Sequence, residues 1–339
     1  MVQRLSSKAH DATVKAVLDE IRARCDVAAR RAADPVGLVH RYDESADCEL
    51  VALASACIAF GNVKTIRAKL HDLLSRLGPR PALLADDVRE LRARLRGWKH
   101  RLFRGADVAR LLAGARAVQR AHGSLGALFG AELARRGTLR GALAAWCDAI
   151  RVAGGLRRDG ARRGPGHLLA DPRGPSGSKR LLLFLRWMSR GPDGVDLGLW
   201  DLDPSRLLVP VDVHIHRLAY NLGFTRRRDL SWKTTEEITA ALARFDSADP
   251  VGYDFSLCHM GMLQRCPSRR DAHRCQGCGV KPVCIHWNGS KRAGRDDTPA
   301  GPGTNPKSTQ APAKPKETPL AYDHAPGEPQ TCRHVSTAR

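Results

Sequence analysis

Apolar side chains recur at helical spacing along most of the chain. Val14, Val17, Leu18 and Ile21 share one face within residues 1–33, and Asp34-Pro35 ends that helix. The polar run Tyr42 to Asp47 starts an almost wholly apolar helix, Glu49 to Gly61, which is expected to be buried. A short Gly-Asn turn then leads into an amphipathic helix, Asn62 to Leu77, with Val63, Ile66, Leu70, Leu73 and Leu74. The two helices should pack as neighbours. Pro79 to Leu84 reads as a break, Asp86 to Leu95 as a short helix, and Asp107 to His122 and Leu139 to Val152 as amphipathic helices. Gly154 to Gly177 is rich in Gly, Arg and Pro and reads as a loop. Ser178 to Arg190 follows as a helix with a solid apolar face. Gly191 to Pro210 connects it to the next helix. Thr234 to Phe245, with Thr234 and Glu237 spaced like a capping box, and Pro250 to Leu263 read as later helices. No segment alternates as a strand does, so the expected fold is all-α.

Leu207 to Phe224 is the organising stretch. After Pro210-Val211-Asp212, apolar residues at Val213, Ile215, Leu218, Ala219 and Leu222 fit one helix face, and Gly223 supplies the stop. Asp212 therefore sits at a helix start, its carboxylate able to accept from the first free backbone N–H groups. Taken alone, that is a capping role.

Charge changes the picture. Lys+Arg total 56 against Asp+Glu 35, a formal net charge of +21, which favours a polyanionic partner. Between residues 151 and 190 there are ten Lys/Arg and two Asp/Glu. There a Gly-rich turn opens a helix beside Lys179, a geometry that turns backbone N–H groups and a cation toward an anion. Arg226, Arg227 and Arg228 form a second basic run, most simply a solvated one. No secretory signal and no run of membrane-spanning length is visible. A cytoplasmic, nucleoid-associated monomer without membrane contact is expected.

Cys266, Cys275, Cys278 and Cys284 are spaced C-x8-C-x2-C-x5-C. Four clustered thiolates suit a structural zinc or an iron–sulfur cluster, and spacing does not choose between them. Cys258 and His286 lie close enough in sequence to join the ligand set. His214 and His216, two apart on a helix, face different ways and do not suggest a shared metal.

These motifs, in this order, resemble the helix–hairpin–helix DNA glycosylase superfamily, the endonuclease III and adenine glycosylase kind. The resemblance rests on Gly174-Pro175-Ser176-Gly177-Ser178-Lys179, then Val211-Asp212-Val213-His214-Ile215-His216-Arg217, then the four cysteines, and covers roughly residues 46–287. More closely, the KRLLLFLRWM and VDVHIHRL segments resemble a bacterial branch of unknown function. The resemblance implies two helical domains with a central DNA-binding cleft. One would be residues 46–200, ending in the hairpin and its helix. The other would be 1–45 plus 201–288, with the cysteine loop. Residues 289–339 would be a disordered basic tail.

It further implies base-excision repair of damaged or mismatched double-stranded DNA, with a nucleotide flipped into the cleft. Asp212 falls on the catalytic aspartate and Lys179 on the lysine that forms a Schiff base in lyase-active members. Gly174, Gly177, Ser178 and Arg180 fall on the DNA-gripping hairpin, and Cys266, Cys275, Cys278 and Cys284 on the ligands of a [4Fe–4S] cluster. The chain departs from the pattern in its altered hairpin and in an insertion, Gly191 to Pro210. Those departures motivate the alternative of a structure-specific DNA-binding protein without N-glycosidic chemistry. A third reading keeps zinc at the cysteines and makes the chain an RNA-binding factor.

Overall fold

A computed structural model describes residues 7–156 and 163–288. Helices dominate it, as the apolar spacing predicts. In chain order they are α1 (Ser7–Ala23), α2 (Val27–Ala33), α3 (Val36–Val39), α4 (Ser45–Ile58), α5 (Val63–Leu77), α6 (Pro81–Asp86) and α7 (Val88–Arg94). A hairpin of two-residue strands follows, β1 (Lys99–His100) and β2 (Phe103–Arg104). Then come α8 (Gly105–His122), α9 (Leu125–Arg136), α10 (Leu139–Gly154), α11 (Arg163–Leu168) and α12 (Lys179–Ser189). The last are α13 (Val213–Asn221), α14 (Trp232–Ala243), α15 (Asp254–Gln264) and α16 (Ile285–Asn288). All belong to one unit, Met1–Lys291. Among the described residues no helix is long and apolar enough to cross a membrane.

Most helix starts are written locally. Asn62, Ser124, Thr138 and Ser231 each accept a backbone N–H of their own first turn. Tertiary burial decides the rest. Every residue of α4 from Asp47 to Ile58 is buried, and the helix packs on α12 and α8. Each fully buried Leu or Ile there contributes about 1.5–3 kcal/mol. Helices α8 and α10 touch through their backbones, since a Cβ on Gly114 would lie 2.9 Å from the Gly154 Cα.

Two buried polar groups organise this core. Glu49, within apolar α4, accepts from the Leu125 and Gly126 amides at the start of α9 and from the Gln119 side chain. Arg186, on α12, pairs with Asp196 and with Asp254 of α15. Arg190 pairs with Asp193, Asp196 and Asp249. These ion pairs tie the connection after α12 and the start of α15 to α12.

Several expectations are corrected. Pro79 to Leu84 is not a break. Pro81 stands at the first turn of α6, where proline loses no hydrogen bond, and Asp47 accepts the Ala82 amide at 2.6 Å. Asp86 to Leu95 is interrupted at Asp87, whose carboxylate caps α7. Helix α9 carries no expectation from sequence, and α11 lies within the expected Gly154–Gly177 loop. The capping box at Thr234 gives way to Ser231, one turn earlier. Among the described residues strands exist only as the β1–β2 hairpin, too short for alternation to reveal. The expected tail at 289–339 lies outside the described residues.

Candidate functional site

Two helix starts face one pocket. Asp212 precedes α13, and its Oδ1 accepts the His214 and Ile215 amides at 2.9 and 3.0 Å. Its Oδ2 is the oxygen that Cys258 meets. Lys179 opens α12 behind Ser178, a non-glycine residue at φ +54°. Both Lys179 and Asp212 line a pocket of about 620 Å³. Its lining joins Phe60, His167 and Lys179, from 46–200, to Asp34, Asp212 and Cys258, from the flanking segments.

Phe60, His167 and Arg180 make part of the lining aromatic and basic. Phe60 meets His100, Phe103 and His167 edge-on, with centroids 5.2–5.6 Å apart. The guanidinium groups of Arg101 and Arg180 lie 5.0 and 5.4 Å from its centroid. Below Asp212 lies α15. Cys258 Sγ is 3.7 Å from Asp212 Oδ2, whereas the sequence set this thiol only near the four-cysteine cluster. Burial and the Asp212 and Asp254 charges push the Cys258 pKa well up. Burial also pushes Asp254 up to about 6, although Arg186 opposes it. Burial pushes Asp34 up too, but bonds from His259 and the Val36 amide leave it below the usual carboxylate value.

The hairpin before α12 is engaged by the chain itself. The Gly177 amide donates to the Leu230 carbonyl at 2.8 Å. A Cβ there would lie 2.7 Å from Thr235 Oγ1, so the glycine permits the close approach. The Gly174 carbonyl accepts from Arg140, and the Gly174 amide donates to Asp171. Arg180, expected to meet phosphate, instead turns inward onto the Cys57 and His167 carbonyls, which α4 and α11 bring within reach. The Ser178 hydroxyl is buried without a hydrogen-bond partner among the described residues.

The four clustered cysteines converge. Cys266, Cys275, Cys278 and Cys284 line one narrow pocket of about 10 Å³ with Asn221 and His286. Asn221 donates to Cys266 Sγ at 3.2 Å, His286 meets the Asn221 carbonyl oxygen at 3.0 Å, and Arg217 donates to the Cys266 carbonyl. Burial raises the Cys266 and Cys278 pKa values, and the neighbouring thiols raise them further. Among the described residues no three His, Cys, Asp or Glu side chains are gathered as around a single metal ion. A set of four thiols with an N–H donor to one sulfur fits, in its chemistry, a thiolate-bound centre. His214 lines the Asp212 pocket, whereas His216 meets the Arg227 carbonyl, so the two histidines do diverge.

A family profile described as "Protein of unknown function (DUF2400)" matches residues 34–263. The chain belongs to the DUF2400 family. The matched span of this DUF2400 chain runs from Asp34 past Cys258, so it holds every pocket residue named beside Asp212, and it stops short of Cys266. No curated protein and no solved structure matches.

Proposed function

We propose that this DUF2400 protein is a base-excision DNA glycosylase. The observation that carries the reading is that Lys179 and Asp212, from separate helix starts, line the same pocket. That pocket is large enough for a flipped nucleotide and has an aromatic wall against which a base can stack. The net charge of +21 favours a polyanion as substrate.

In this mechanism the N-glycosidic bond breaks with its electron pair leaving on the base. Asp212 Oδ2 stabilises the positive charge that develops on the sugar, and water adds at the anomeric carbon. The Lys179 amine, where it attacks in place of water, forms a Schiff base and opens the way to strand cleavage. Cys266, Cys275, Cys278 and Cys284 would hold a [4Fe–4S] cluster, or zinc in the alternative. Such a group would supply a cross-link within their loop, which Asn221 and Arg217 tie to α13.

The test is base release from an oligonucleotide panel carrying uracil, oxidised and alkylated bases, mismatched adenine and an abasic site. The wild-type protein is expected to create alkali-labile sites on at least one substrate, and Asp212→Asn to lose them while still binding DNA. Salt-sensitive binding with no product on any substrate would replace this reading with the structure-specific binder. That alternative is favoured by the hairpin, whose Gly177 amide is already paired.

A further inference from the structure

The Asp212 carboxylate has a second support that its own helix does not provide. Oδ1 is held by two amides of α13, which fixes one oxygen and leaves rotation about the side chain to be limited by whatever meets Oδ2. That contact comes from Cys258, in the middle of α15. Helix α15 can stand this close because of Gly261, one turn further along the same face. A Cβ on Gly261 would lie 2.9 Å from Leu218 Cδ1 and 3.6 Å from the His214 Cβ, both on α13.

We propose that Cys258 is a positioning residue for Asp212, its thiol donating a hydrogen bond that aims Oδ2 into the pocket, with Gly261 setting the helix spacing that makes the contact. The inference deepens the glycosylase reading and rests on it for its catalytic consequence. The groups that face this thiol are Asp212 from the start of α13, Lys179 from α12, Asp254 one turn earlier on α15, and Asp34 before α3. Burial first, and then three carboxylates against one ammonium, keep the sulfur protonated. A protonated thiol donates to Oδ2 without adding charge beside the cation that forms on the sugar. A carboxylate at position 258 would repel Asp212, and a lysine would neutralise it.

The S–H stretching band in the infrared tests the contact in the full chain, without any substrate. The difference between wild type and Cys258→Ala isolates the band of this thiol. It is expected at lower frequency than that of a non-bonded thiol, and to rise in Asp212→Ala. A band unmoved by Asp212→Ala would overturn the proposal. Circular dichroism confirms that each variant is folded.

The catalytic arm uses whichever oligonucleotide the wild type cleaves. Cys258→Ala should slow single-turnover base release by about 10- to 100-fold, as misaimed catalytic groups do, with DNA affinity unchanged. Cys258→Ser, which keeps a donor, should recover most of the rate. Gly261→Ala should give the Cys258→Ala phenotype with the thiol still present. Full activity in Cys258→Ala would overturn the positioning role. If the wild type releases no base, the glycosylase reading fails by itself, and the infrared band alone decides whether the thiol holds Asp212.

Discussion

The Glu49 carboxylate accepts the Trp200 indole N–H at 2.7 Å. One oxygen of a buried acid in α4 thereby fastens the segment that follows α12, while the same carboxylate caps α9 through Leu125 and Gly126. Trp200 in turn packs on Phe184 of α12 and on Phe129 of α9. Glu49→Ala leaves several buried donors unpartnered and is expected to cost at least about 3 kcal/mol. Glu49→Gln keeps the shape and one acceptor and should cost about half of that. Urea unfolding of the two variants checks the order, and equal losses would show that shape rather than hydrogen bonding is at stake.

Lys179 has a chemical signature of its own. If its amine attacks the sugar, borohydride should trap a covalent protein–DNA adduct on an abasic oligonucleotide. Lys179→Gln should abolish the adduct. Base release without trapping would leave Asp212 and water as the chemistry and Lys179 as a charge beside the DNA.

Asp254 gives the fold a definite pH dependence. Arg186 and Arg190 meet the carboxylates of Asp193, Asp196, Asp249 and Asp254, more acids than bases. Burial pushes Asp254 up to about 6, so the folded state holds a proton that the unfolded chain releases near pH 4. A raised folded pKa contributes stability that is complete below pH 4 and is lost as pH rises through 6. Asp254→Asn should therefore gain on wild type by up to about 3 kcal/mol between pH 4 and pH 8. Denaturation midpoints across that range are the measurement; parallel curves would place the proton elsewhere in the network.

Ser178 stores strain at the head of α12. Its φ of +54° is unfavourable for a residue with a Cβ, and its buried hydroxyl has no partner among the described residues. Ser178→Gly should stabilise the protein by about 0.5–1 kcal/mol, the left-handed penalty less the glycine's greater freedom when unfolded. Ser178→Ala removes the orphan hydroxyl but keeps the strain, and thermal denaturation of the pair separates the two effects. A destabilised Ser178→Gly would mean that the hydroxyl bonds in solution.

The cysteine pocket predicts bound metal. Protein purified without oxygen should carry iron and acid-labile sulfide, and Cys278→Ser should lose both and melt at a lower temperature. Zinc with no sulfide would assign the pocket to the alternative ion. Metal-free protein of unchanged stability would remove the cofactor altogether.

Residue order by itself determined the helices whose signals are local. Asp212 announced α13 because a capping carboxylate, an apolar face and Gly223 lie within a dozen positions, and the structure ends the helix at Asn221 with Gly223 at φ +76°. The clustered cysteines were legible for the same reason. Other features depend on partners distant in the chain. Pro81 opens a helix whose Ala82 amide is accepted by the distant Asp47, and Arg180 turns inward because α4 and α11 offer carbonyls. Cys258 read as a fifth cysteine beside a cluster until helix packing, allowed by Gly261, set its sulfur against Asp212. Periodicity reports which face of a helix is buried, but not which helix covers it. Tertiary structure alone decided that Lys179, Asp212 and Cys258 share one pocket, because the buried ion pairs around Arg186 hold α12 and α15 together.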